Sequence, residues 1–262
     1  PACGHNPCPT CDGGGGATSP SSPEPDCPTS YKMVNGKMVR SVNPCNVELV
    51  QDIIDSLDSK FKCAKALLAQ LPTIKTDIAK IINQAFNTNH TNDITFYDGN
   101  LSDFKPMQDG YAKGFDIYLN PTVLSNATQE YILVTMYHEA LHTYLNLEYK
   151  TLGSSAFNAK YPEIKVTEHH NSTFNLDNRY DYYIDEGAHQ TQVNKDPQHR
   201  TMAEYFTDKL KDAILAFNPS FPVDRAQALA RFGIFNDTTI SYYNESERDK
   251  SKGTHAGQLC PP

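Results

Sequence analysis

Two histidines four residues apart, with a glutamate beside the first, make the densest chemical signal in the chain: His138-Glu139-Ala140-Leu141-His142. The pattern is H-E-x-x-H. It lies in a stretch from about Thr128 to Leu147 that lacks Gly and Pro and is apolar on most faces, which predicts a helix buried within the domain. Residues i and i+4 of a helix share one face about a turn apart, so both imidazoles can grip one ion. Glu139 is rotated from that face to reach a water held there and act as its general base. The chemistry this would support is hydrolysis at Zn2+, which lowers the pKa of a coordinated water and polarises a scissile carbonyl without a covalent intermediate. The plainer alternative is a pair of histidines that happen to share a helix face. It leaves the cost of burying them with a glutamate unexplained.

A catalytic zinc usually takes a third protein ligand and leaves one position for water. Of the other histidines, His199 has the best argument. Met202, Phe206, Leu210, Ala213 and Phe217 follow it at helical spacing, so it shares their core-facing stripe and points inward from the first turn. Asp196-Pro197 supplies the helix start. The alternative for His199 is a core histidine bonded to a backbone carbonyl.

These residues need a scaffold, and 262 residues are enough to bury one sizeable core. Residues 1–30 read as a tail or linker: they hold four of the seven cysteines, seven of the seventeen prolines and the run Gly13 to Gly16, with too little apolar surface to offset ordering. Residues 31–262 read as the catalytic domain. Tyr31 to Arg40, turning at Asn35-Gly36, predicts a small hairpin. Val47, Val50, Ile53, Ile54 and Leu57 recur at helical spacing, and further helices are expected over 61–71 and 73–86. Ile94 to Tyr97 and Phe115 to Leu119 read as strands. Residues 153–197 are polar, aromatic and irregular. Helices are expected over 198–217 and 223–232, with a polar remainder. The fold class is therefore α+β, with a small sheet, a buried H-E-x-x-H helix and further C-terminal helices.

Met136 to Leu145 resembles the active helix of SprT-like zinc metalloproteases. More closely, the chain resembles a group of bacterial H-E-x-x-H proteins in which that helix is followed by Q-H-x-x-M-A-x-x-Y/F, here Gln198-His199-Arg200-Thr201-Met202-Ala203-Glu204-Tyr205-Phe206. The likeness covers roughly residues 45–260 and not the tail. It implies a zincin-like metallopeptidase domain with His138, His142 and His199 as zinc ligands and Glu139 as base, acting on a protein or peptide. SprT-like proteins usually carry a glycine after the third histidine, where this chain has Arg200. Tyr183-Ile184-Asp185-Glu186-Gly187-Ala188 is similar to the segment in which gluzincins carry their glutamate ligand, so Glu186 competes with His199 or stands behind a ligand. Tyr183 and His189 are candidates to stabilise the transition state. From its similarity to zincins, the strand Phe115 to Leu119 is expected to be the sheet edge along which substrate aligns.

Cys45 and Cys63 flank the first core helix, and a bridge between them would close a loop worth roughly 3 kcal/mol in the chain-entropy model. That points to an oxidising compartment, secreted or at the cell surface. In the tail, Cys3, His5, Cys8 and Cys11 fit a zinc knuckle, or a staple with Cys27. A net charge of −8 disfavours nucleic acid as a partner, and no apolar run approaches the length of a membrane span. Two rival functions stand beside hydrolysis: a non-catalytic, zinc-stabilised binding module, and a metal-dependent toxin or effector domain of a larger secreted protein. Because the chain starts at Pro1, an upstream segment is expected to have been lost.

Overall fold

The structure, a computed structural model, describes residues 31–34, 37–40, 53–86, 93–162, 167–168, 182–185, 190–193, 196–236 and 238–261. The chain divides into two compact units, Pro1–Val50 and Gln51–Pro262. In the first, β1 (Tyr31–Val34) and β2 (Lys37–Arg40) pair antiparallel, as the Asn-Gly turn predicts.

The second unit is α+β. In chain order it comprises β3 (Ile53–Asp55), α1 (Lys62–Leu68), α2 (Asp77–Phe86), β4 (Ile94–Asp98), β5 (Gly110–Lys113), β6 (Asp116–Leu119), α3 (Pro121–Asn126) and α4 (Gln129–Lys160). There follow β7 (Thr167–Glu168), β8 (Tyr182–Asp185), β9 (Gln190–Val193), α5 (Pro197–Tyr205), α6 (Thr207–Phe217), α7 (Val223–Arg231), β10 (Phe235–Asn236) and α8 (Thr238–Arg248).

The main sheet runs β3-β4-β6-β5, with β3, β4 and β6 parallel and β5 antiparallel at the edge. Alternation puts Ile94, Phe96, Ile117 and Leu119 into the core, as period-two side chains require. Two expectations are corrected here. Ile53 and Ile54, read as part of a helix, form the short strand β3, because pairing with Ile94 and Thr95 of β4 outweighs a local helical spacing. Phe115 to Leu119 is not an edge: β6 lies between β4 and β5, and the edge strand on that side is Gly110–Lys113. A second sheet runs β10-β9-β8-β7.

Helix α4 is the axis of this unit. Every residue from Glu130 to Tyr137 is buried, which explains its apolar character on most faces. Thr128 caps it by accepting from the Tyr131 amide. It runs beyond the expected end at Leu147, with a break at Gly153, whose φ of 72° favours glycine. The expected helix over 198–217 is two helices, α5 and α6, parted at Phe206.

The C-terminal segment lies against the start of α4. Gln129 donates its amide to Gln258 O (2.7 Å), Glu130 accepts from Gln258 N (2.8 Å) and Asn218 Nδ2 (2.6 Å), and Glu247 accepts from Arg225, Ala256 and Gly257. This route brings Cys260 to Cys63, with Cα atoms 5.6 Å apart, and the two form a disulfide. The bridge replaces the expected Cys45–Cys63 pairing. Cys45 and the tail cysteines lie outside the described residues. Among the described residues, no helix is long and apolar enough to cross a membrane.

Candidate metal centre

His138 and His142 project from one face of α4, as the i, i+4 spacing requires, and α5 carries His199 to meet them. The side chain of Asp196 starts α5 by accepting from the amides of Gln198 (2.9 Å) and His199 (3.3 Å), with Pro197 in the first turn. Met202, Phe206, Leu210 and Ala213 are all buried, so the stripe that starts at His199 does face the core.

The three imidazoles each offer a nitrogen within 4.8 Å of the others, a spacing that could hold a metal ion. His138 Nε2 and His199 Nε2 are 3.3 Å apart. Two nitrogens bound to one zinc at about 2.0–2.1 Å in tetrahedral geometry stand about 3.3 Å apart. His142 Nδ1 donates to Gln198 Oε1 (2.6 Å), and Gln198 Nε2 donates to Asn146 Oδ1 (2.8 Å). That chain fixes the tautomer and leaves the His142 Nε2 lone pair for a ligand. His199 Nδ1 is buried without a hydrogen-bond partner, with Asp196 Oδ1 3.6 Å away. Desolvation, then the neighbouring imidazoles, holds His138 well below the usual histidine range. His142 is lowered by desolvation against the Gln198 bond. His199 is pushed down to about 3, again chiefly by desolvation. Three neutral imidazoles are the protonation state a metal needs, and the donor set suits zinc, copper, iron or nickel alike.

Glu139 is buried on the neighbouring face of α4. Burial, and then the charge of Asp109, pushes its carboxyl up to about 8; a cation among the imidazoles would lower it again. Asp109 is itself buried, bonded to Tyr131 Oη (2.6 Å) and Arg248 Nε (2.5 Å). Burial raises its carboxyl while Arg248 and Tyr131 oppose the rise. The next residue, Gly110, begins the edge strand and lies directly against Glu139. A cleft of about 430 Å³ joins these groups, lined by the three histidines, Glu139, Gly110 and Tyr111 among others.

His138, Glu139, His142 and His199 thus come together. Glu186 and His189 lie outside the described residues, and Tyr183 falls in β8, of which the backbone alone is described. Sequence reasoning missed Asn146, although i+4 from His142 marks it as sharing that face. It also missed the role of Gln198, and of Asp109, Gly110 and Arg248, which tertiary folding brings to the site. Compared with family models, curated proteins and solved structures, the chain matches none of them.

Proposed function

We propose that the chain is a zinc-dependent endopeptidase acting outside the cytoplasm. The reading rests above all on the convergence of His138, His142 and His199 at one point of a cleft in which Glu139 also sits. Zinc, when bound, would supply a Lewis acid for a peptide carbonyl and acidify a water. The chain's own residues do the rest. Gln198 and Asn146 hold the His142 ring in one tautomer and orientation. Glu139 takes the proton from the attacking water and passes it to the leaving amine. Its burial shields it from competing solvent.

The edge strand supports a polypeptide substrate. Among the described residues β5 pairs with β6 alone, so its outer edge can take an extended chain by main-chain hydrogen bonds. Gly110 and Tyr111 of that strand line the same cleft as Glu139, which would bring the substrate backbone to the base. The Cys63–Cys260 disulfide supports an oxidising, extracytoplasmic setting.

The test is cleavage of a denatured protein substrate by the zinc-loaded chain. Wild type should cut it, and Glu139→Gln should hold the metal yet lose 100- to 10,000-fold or more in rate, as expected for removal of a general base (roughly 10²–10⁴). A metal-bearing wild type that cuts nothing would support the zinc-stabilised binding module instead.

A further inference from the structure

We infer that a second cavity beside the metal cleft is a binding site for an aromatic side chain of the substrate; that the ring belongs to a peptide rests on the reading above. The cavity holds about 620 Å³, within the usual range for ligand pockets of roughly 300–1,000 Å³. Asn146 and Gln198 line both spaces, so the pair that orients His142 is also the partition between the cleft and the cavity. A chain lying along the cleft can therefore place one side chain past that partition.

The walls say which side chain. Tyr149 meets Phe157 edge-to-face, with centroids 5.4 Å apart at 72°. Phe157 meets Tyr161 at 5.0 Å, and Tyr161 meets Tyr205 at 5.4 Å and 66°. The result is an arc of four rings on one cavity. Two of the hydroxyls are already engaged, Tyr161 with Tyr144 (3.1 Å) and Tyr205 with Pro162 O (3.2 Å), so these rings present face and edge rather than phenol to an occupant. Among the described residues no carboxylate lines the cavity, which leaves a lysine or arginine side chain without a counter-charge from them. Ring edges and faces in this arrangement favour another aromatic group over an aliphatic one.

The arc depends on the broken helix. In a continuous α-helix Tyr149 and Phe157, eight residues apart, would be offset by about 12 Å along the axis, out of ring contact. The turn at Gly153, with φ 72°, folds the last stretch of α4 back so that the two rings touch. Tyr149, 51 % exposed, stands at the mouth.

The chain contains no tryptophan, so N-acetyl-tryptophanamide can be followed by its own fluorescence anisotropy when added to the full zinc-loaded protein. Wild type should bind it, N-acetyl-phenylalaninamide should displace it and N-acetyl-lysinamide should not. Tyr149→Ala should weaken binding about tenfold, while Tyr242→Ala, an exposed tyrosine outside the cavity, should leave it unchanged. Absence of binding, or equal binding by Tyr149→Ala, overturns the site. A peptide library then separates the two readings. Cleavage with an aromatic residue enriched at one fixed distance from the cut, and less enriched with Tyr149→Ala, supports both. Cleavage without aromatic preference overturns the specificity pocket and leaves the peptidase standing. An uncut library with intact, Tyr149-dependent probe binding overturns the peptidase and leaves an aromatic ligand site.

Discussion

Gly110 stands against Glu139 with no room for a side chain between them: a Cβ at position 110 would come 2.8 Å from Glu139 Cγ and 3.0 Å from Oε1. The edge strand and the Glu139 side chain are therefore fitted to one another. Gly110→Ala should leave the histidine cluster and its metal content intact while displacing the carboxyl. Misplacing a catalytic group by about 1 Å costs on the order of a hundredfold in rate. Steady-state kinetics alongside metal analysis check this; a variant as fast as wild type would detach Glu139 from the chemistry or show that the strand gives way freely.

Gln198 bonds His142 Nδ1 and is itself held by Asn146. Gln198→Ala removes the partner that fixes the ring. Metal affinity should fall about ten- to hundredfold, the usual cost of losing such a support, with helix content unchanged. Competition against a chelator of known affinity gives the number, and an unaltered affinity would mean that packing alone orients His142.

The disulfide joins residues 197 positions apart. Closing so long a loop is worth about 5 kcal/mol in the chain-entropy model, and it also fixes the C-terminal segment against the start of α4. Cys63→Ser should lower the denaturation midpoint strongly, and a non-reduced digest of wild type should yield a Cys63–Cys260 peptide pair. Recovery of both as free thiols would remove the support for an oxidising compartment.

How much of this was legible in the sequence follows from which forces set each element. Helix α4 was plain because a long run without Gly or Pro, apolar on most sides, has few other folds open to it. His199 was legible because the stripe of Met202, Phe206, Leu210 and Ala213 points it inward. That same stripe hid the break at Phe206, since a break that preserves the stripe leaves no mark on periodicity. The edge strand Gly110–Lys113 was missed because it is short, opens with glycine and owes its place to pairing with β6. Helix α8 was missed because most of what it buries is polar: Asn244 donates to Ala228 O, and Glu247 accepts from Arg225, Ala256 and Gly257, partners outside the helix that no local pattern reveals. The Cys63–Cys260 bridge depends on the path of the C-terminal segment, again a tertiary fact.

The central claim is that His138, His142 and His199 hold one metal ion, and elemental analysis of the purified full chain beside two variants tests it most directly. Wild type should carry about one equivalent of zinc more than His199→Ala, whether or not the tail cysteines bind metal of their own, while Glu186→Ala should match wild type. Equal metal in wild type and His199→Ala, with loss in Glu186→Ala, would contradict the account and give the third position to the glutamate.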